Sequence, residues 1–82
     1  MYSKQQEAFA AVKGERDYQD NKWVNSLSQG HHETGAYLAF IQHYLTQAIA
    51  EITQDDGGSL HTVRKIAALA VACMEDNGIV ER

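Results

Sequence analysis

The segment GERDYQDNKWV, residues 14 to 24, concentrates the side chains of this chain that could do chemistry. It carries five charged residues and the only tryptophan, and no helix breaker follows its first glycine. An arginine fork, an amide, an ammonium and a flat indole are groups with which proteins hold a phosphate and a base. We therefore predict that Arg16, Gln19, Lys22 and Trp23 belong to a ligand site.

The same segment breaks the apolar face of the helix that it is predicted to form. Phe9, Val12, Arg16, Gln19 and Trp23 follow one another at steps of three and four residues, which places them on one helical face. A buried polar side chain without a partner costs about 1–3 kcal/mol, and such a break marks a functional or strained site more often than an error. The alternative is that the tryptophan only packs and that the charges form a solvated surface.

A second polar cluster, HHETGAY, begins the second predicted helix. The free N–H groups and the dipole of a helix start favour an anion. Arg64 and Lys65 lie near the start of the third predicted helix, with His61 one turn earlier. We predict that His32, Tyr37, Arg64 and Lys65 join the ligand site. The histidines and the lone cysteine do not form a convincing zinc site, which needs three or four ligands at defined spacing.

Helical spacing of apolar residues and the complete lack of proline predict an all-α fold, a three-helix hairpin or bundle. We expect one domain over residues 1–82. Ser59 is a candidate N-cap for the third helix, and Gly78 can close that helix in the left-handed conformation. The helices are predicted at about residues 3–24, 32–54 and 59–77.

The third predicted helix contains the run IAALAVACM, residues 66 to 74, which is apolar on every side and built mostly of small residues. A helix that is apolar all round is buried all round, and two partner helices in one chain cannot easily cover it. We predict a homo-oligomer whose contact is the helix at residues 59–77, the alternative being a compact three-helix bundle. Cys73 lies in this run and is interpreted as a small hydrophobic residue.

Composition narrows the classes of partner. The chain has 82 residues, with 11 acidic residues, 7 basic residues and a formal net charge of −4. This balance argues against broad binding of nucleic acid, although it leaves room for a local basic pocket. One cysteine excludes an internal disulfide and fits a reducing cytoplasm. No apolar run approaches the roughly 20 residues that span a membrane, so we expect a cytoplasmic protein without a membrane partner.

At these residues the chain resembles the small phage-encoded MazG-like proteins, which belong to the all-α nucleoside triphosphate pyrophosphohydrolase superfamily. The resemblance rests on the motif E-R-x-x-Q-x-x-K-W at residues 15–23, an H-x-x-G-x-Y helix start at residues 32–37, and RKIAALAVACMEDNG. It covers about residues 12–78. It implies a helical bundle, usually dimeric or tetrameric, in which nucleotide phosphates meet Mg²⁺ held by helical carboxylates.

The chain departs from this family at the metal motif. The family pairs E-E-x-x-E on one helix with E-x-x-D on a later helix, and these carboxylates supply the oxygen ligands that Mg²⁺ requires. Here Glu51 is the only interior acid of the second predicted helix, and the third has none before Glu75. We therefore predict no catalytic residues and no cofactor. Under the enzyme alternative, Mg²⁺ would be held across subunits by Glu15, Asp20, Glu33 and Glu51.

The sequence thus predicts a small phage-type protein that binds a nucleotide without turnover and sequesters a nucleotide signal used in host defence. One alternative is a functioning MazG-like nucleoside triphosphate pyrophosphohydrolase. A second is a helical module for protein interaction, in which residues 14 to 24 form only a belt of ion pairs. The expected partners are a small nucleotide and further copies of the same chain.

Overall fold

The computed structural model describes residues 3–23, 32–54 and 57–82, and in these ranges the chain is helical without any strand. The helix α1 spans Lys4–Trp23 and runs unbroken through its glycine. The helix α2 spans Thr34–Glu51 and continues into a short 3-10 turn at Ile52–Gln54. The helix α3 spans Gly58–Asn77. The predicted all-α fold with three helices is confirmed.

The helix ends show which local signals were read correctly. At the start of α1, the Ser3 hydroxyl accepts from the Gln6 N–H and the Gln6 side chain accepts from the Ser3 N–H, both at 3.0 Å, which is a capping box. Gly78 closes α3 as predicted, since its N–H donates to the Met74 carbonyl at 2.9 Å, although its φ of 108° and ψ of 154° lie outside the left-handed helical region. The prediction of Ser59 as N-cap is wrong. Gly57 holds that position with a φ of 79°, which suits a residue without Cβ.

The helices are arranged with α3 in the middle, α1 on one side and α2 on the other. In the described residues, no Cα atom of α1 comes within 8 Å of one in α2. The small residues Ala68 and Ala72 of α3 are fully buried and let the neighbouring helices approach closely. The core consists of Tyr37, Leu69 and Ala72, against which Ile41, Tyr44 and Cys73 pack.

Part of the apolar surface of α3 is therefore covered inside one chain, but another part is not. Leu60, Val63 and Met74 are exposed on the side of α3 that faces neither neighbour. The outer side of α2 is also apolar and exposed, at Leu38, Leu45, Ile49 and Ile52. None of the three described helices combines the length and the apolar character that are needed to cross a bilayer.

The buried face of α1 differs from the predicted one. Phe9, expected to face inward, is 66% exposed, whereas Glu15 and Gln19 are buried at 7% and 5%. These two residues are one helical turn apart, so they share one face. Helix α1 therefore packs on α3 through a polar pair, and the apolar Phe9 lies at the margin of that contact.

Candidate functional site

A cleft of about 270 Å³ opens between α1 and α3 and reaches Tyr44 on α2. The cleft brings together four of the eight predicted site residues: Gln19 and Lys22 on α1, and Arg64 and Lys65 on α3. One helical face of each element turns toward the other, because residues spaced by three or four positions share a face. The complete lining is Glu15, Tyr18, Gln19, Lys22, Tyr44, His61, Arg64 and Lys65.

An ion pair between a half-exposed arginine and a buried carboxylate forms one wall of this cleft. The Arg64 Nε donates to Glu15 Oε1 at 3.1 Å, and the Arg64 side chain is 40% exposed while that of Glu15 is 7% exposed. A second guanidinium nitrogen of Arg64 lies 2.9 Å from the Nδ1 atom of His61. Burying a carboxylate without a counter-charge costs free energy, so the contact with Arg64 stabilises the folded chain. Arg64 is also one of the residues that line the cleft.

Gln19 lies at the floor of the cleft. Its Nε2 donates to the Lys65 carbonyl at 3.4 Å, and this bond ties α1 to the backbone of α3. Its Oε1 is buried and accepts no hydrogen bond from any residue that the structure describes. A buried acceptor in this state costs about 1–3 kcal/mol.

Positive charge exceeds negative charge along the cleft. Three cationic side chains, Lys22, Arg64 and Lys65, face one carboxylate, Glu15, among the lining residues. The ammonium of Lys65 lies 5.6 Å from the centre of the Tyr44 ring, a cation–π contact that holds it beside the cleft. The chain as a whole has a net charge of −4, so the cleft is a local reversal of the protein's charge.

Arg16, a predicted site residue, does not line this cleft. It lies on the other side of the α1–α3 contact, where its Nε and Nη2 donate to Glu75 at 3.1 and 2.8 Å and its Nη1 donates to Asp20 at 2.5 Å. Burial lowers the pKa of Arg16, but the hydrogen bonds and charges of Glu75 and Asp20 outweigh it and raise the pKa overall. Three guanidinium nitrogens of Arg16 are thus hydrogen-bonded to carboxylates, and the bonds to Glu75 link α1 to α3.

His32 and Tyr37 also lie away from the cleft, where the start of α2 meets the end of α3. The Tyr37 hydroxyl donates to Asp76 at 2.5 Å, and the His32 backbone N–H donates to the same carboxylate at 3.2 Å. Asn77 donates to the His32 carbonyl at 3.0 Å. Burial, followed by the bond to Asp76, raises the pKa of Tyr37 above its ordinary value. The protein's own carboxylate at Asp76 therefore binds the two predicted site residues beside this helix start.

Trp23 ends α1, and its side chain lies outside the described part of the structure. Its predicted role at the ligand site remains a prediction. The residue that precedes it, Lys22, lines the cleft and is exposed.

The four carboxylates of the enzyme alternative do not come together within one chain. Glu15 pairs with Arg64 and Asp20 pairs with Arg16. Glu51 accepts from the Thr62 hydroxyl at 2.7 Å and from Gln47 at 3.2 Å, while Glu33 is an exposed N-cap of α2. Across the described ranges, no group of three or more His, Cys, Asp or Glu residues is placed to hold a metal ion.

Sequence reasoning missed Tyr18 and Tyr44 as cleft residues and assigned Glu15 no role in ligand binding. One signal was available for Glu15, since it lies four residues before Gln19 and shares its helical face. Tyr44 carried no comparable signal, because its place depends on how α2 packs against α3.

Comparison with family models, with curated proteins and with solved structures found no match for this chain. The fold and the cleft thus define a three-helix protein with a small cationic pocket.

Proposed function

We propose that this chain is a small nucleotide-binding protein of the MazG-like type and that the cleft between α1 and α3 receives the phosphate. The observation that carries this proposal is the excess of cationic side chains at Lys22, Arg64 and Lys65 in an otherwise acidic chain. Two tyrosines line the same cleft and offer flat surfaces for a base. Three residues of the motif that resembles the MazG-like proteins, Glu15, Gln19 and Lys22, belong to this cleft.

The size of the cleft supports a small ligand. Its volume of about 270 Å³ lies just below the usual range of ligand pockets, which begins at about 300 Å³. One chain therefore offers room for a mononucleotide, and a dinucleotide signal would need a second copy to complete the site. The role that we propose is sequestration of a nucleotide signal by a phage-encoded protein in the cytoplasm of its host.

We propose binding without turnover. Within the described residues, the carboxylates of the enzyme alternative lie apart and are not placed to share a metal ion. This separation supports the proposal, because phosphoryl transfer without a metal clamp lacks its main electrostatic support. The alternative of a metal site shared between subunits predicts release of pyrophosphate from nucleoside triphosphates with Mg²⁺ present. An assay for pyrophosphate distinguishes the two, and turnover abolished by Glu51→Gln would favour the enzyme.

The binding proposal is tested by titrating nucleoside 5′-monophosphates into the wild type and two lysine variants, with calorimetry and thermal unfolding as readouts. Lys22→Ala removes a cation from the cleft and should weaken binding about 3- to 10-fold, as expected for one exposed charge against phosphate. Lys13→Ala is the matched control, since Lys13 lies on the same helix but pairs with Asp17 at 2.8 Å away from the cleft. Failure of every nucleotide to bind at millimolar concentration would refute the proposal.

We also propose that the chain self-associates through α3. Leu60, Val63, Ala67, Ala70 and Met74 follow one another at steps of three, four, three and four residues, the spacing of a coiled-coil seam. These residues are exposed or half-buried. The seam carries no charge, so two copies of an acidic chain can meet there without repulsion.

Light scattering at micromolar concentration tests this assembly. The wild type should have a mass of at least two chains, and Ala70→Glu should yield monomers because it buries a charge without a partner. Ala50→Glu is the matched control, since Ala50 is an exposed position of α2 and the substitution is the same. Dissociation by Ile49→Glu but not by Ala70→Glu would move the interface to the outer side of α2, and a monomeric wild type would refute the assembly.

A further inference from the structure

The amide of Gln19 is held in one orientation. Its nitrogen donates to the Lys65 carbonyl, and turning the amide over would bring two oxygens together. The amide oxygen is therefore the atom without a partner: it is buried and accepts no hydrogen bond from the described residues. Gln19 is 5% exposed yet lines the cleft, so the structure holds a buried, unpaired acceptor beside the proposed ligand.

The residues at the floor of the cleft offer no hydrogen-bond donor to the anionic part of a ligand. Glu15, beside Gln19, is a carboxylate, so both floor residues present oxygen acceptors. An ionised phosphate has only acceptor oxygens of its own and cannot hydrogen-bond to either of them. The phosphate is therefore confined to the cationic rim around Lys22, and the part of the ligand that reaches the floor must carry an N–H or O–H donor.

We propose, on the basis of the nucleotide-binding function above, that Gln19 is the residue that recognises the base and that it accepts a hydrogen bond from an N–H donor on the base edge. Tyr18 and Tyr44 line the cleft around Gln19 and provide flat sides against which a heterocycle lies. A small rotation of the amide brings its oxygen to the ligand. The recognised species is a nucleoside monophosphate with its phosphate at the rim and an N–H pointing to the floor.

Methylation of that N–H is the direct test. Uridine, guanosine, adenosine and cytidine 5′-monophosphates are titrated into the full-length wild type. The tightest binder is then compared with its methylated counterpart: 3-methyluridine, N6,N6-dimethyladenosine or N4,N4-dimethylcytidine 5′-monophosphate. For guanosine 5′-monophosphate, both the 1-methyl and the N2,N2-dimethyl forms are used, because the guanine edge carries two N–H groups. We expect the methylated ligand to bind about tenfold more weakly or worse, because it leaves the Gln19 oxygen unpaired.

Gln19→Met shows whether the loss acts through this residue. Methionine has nearly the same length and no strong acceptor, so the variant should bind the unmethylated and methylated ligands within about twofold of each other. Ribose 5-phosphate completes the series and should bind at least about tenfold more weakly than the nucleotide. Circular dichroism checks that the variant is folded, and the wild-type comparison stands even if it is not.

The outcomes separate this inference from the function on which it rests. If nucleotides bind but methylation changes nothing, or if ribose 5-phosphate binds as tightly as the nucleotide, recognition of the base by Gln19 is refuted while phosphate binding stands. If no nucleotide binds, the proposed function itself fails and takes the inference with it. A loss on methylation that persists unchanged in a folded Gln19→Met would assign the recognition to another residue.

Discussion

The two sides of the contact between α1 and α3 use the same charged segment in opposite ways. On one side, Arg16 meets both Asp20 and Glu75, so that its charge is more than balanced. On the other side, Glu15 meets Arg64, and Lys22 and Lys65 add two further cations without another carboxylate in the lining. Two residues that are adjacent in sequence, Glu15 and Arg16, therefore serve different surfaces.

The difference separates charge that holds the fold together from charge that is available to a ligand. A guanidinium with two carboxylate partners has little left to offer a phosphate, and its pKa is raised because those partners favour the charged form over the cost of burial. Cations in excess of their partners create a positive potential at short range. Charge balance around each cation, rather than the presence of arginine or lysine, thus distinguishes the two sides.

The largest expected effect comes from removing the arginine of each side in turn. Arg64→Ala leaves the Glu15 carboxylate buried without a counter-charge and should cost about 2–3 kcal/mol in the free energy of unfolding. Arg16→Ala leaves Asp20 and Glu75, which are 65% and 49% exposed and remain hydrated, so its cost should be about 1 kcal/mol or less. Urea unfolding of both variants measures the contrast.

The double variant Glu15→Gln with Arg64→Ala identifies the cause of that loss. A neutral amide is far less costly to bury than a carboxylate, so the double variant should recover about half of the stability that Arg64→Ala loses. An equal or larger cost for Arg16→Ala would contradict the assignment of the buried charge to the cleft side.

Much of the fold was predictable from the sequence because helices follow local rules. The spacing of apolar residues predicted three helices, and Gly78 marked the end of the third correctly. The prediction of Ser59 as the N-cap of α3 failed because a serine caps a helix only where the chain turns into it. Here the turn falls at Gly57, whose positive φ no side chain favours.

The site was predictable only in part, because it depends on how helices are rotated against each other. The structure brings Gln19, Lys22, Arg64 and Lys65 into one cleft, while Arg16 lies outside it. Arg16 and Gln19 are three residues apart and share a broad helical face. Only the packing of the helices decides that Gln19 lines the cleft while Arg16 reaches Glu75. Glu75, the partner of Arg16, is 59 residues away in the sequence, so no local pattern could predict this contact.

A third region, at Tyr37, provides a contrast to both ion-paired sides because its donor is neutral. Tyr37→Phe removes the hydrogen bond to Asp76 and should cost about 1–2 kcal/mol at pH 8 without changing nucleotide binding. Burial and this bond raise the pKa of Tyr37, so the folded state favours the protonated hydroxyl. This contribution is complete below the unfolded pKa of about 10 and is lost as the pH rises toward the folded pKa.

Urea unfolding at pH 8 and pH 11 tests the sign. The difference in stability between the wild type and Tyr37→Phe should shrink at pH 11. Ionisation of Tyr37 in the unfolded state then favours unfolding of the wild type, and the variant lacks this group. A difference that grows with pH would contradict the role of the hydroxyl as donor to Asp76.

Lys65→Ala sharpens the assignment of the cleft as the binding side. The variant removes the cation held beside Tyr44 and should weaken binding of a nucleoside monophosphate about 3- to 10-fold at low salt, with a smaller effect at high salt. Arg16→Ala should change the same affinity less than about twofold. Calorimetry at two salt concentrations measures both, and a stronger effect of Arg16→Ala would place the ligand on the opposite side of α1.

The smallest expected effect is that of Lys13→Ala, and its smallness is informative. Lys13 contacts both carboxylate oxygens of Asp17 at 2.8 Å, a shorter contact than that of Arg64 with Glu15. The Lys13 and Asp17 side chains are 73% and 56% exposed, however, so water replaces the lysine when it is removed. We expect a loss of less than about 0.5 kcal/mol by urea unfolding. A loss as large as that of Arg64→Ala would mean that distance rather than burial determines what these ion pairs contribute, and the distinction between the two sides of α1 would then lose its physical basis.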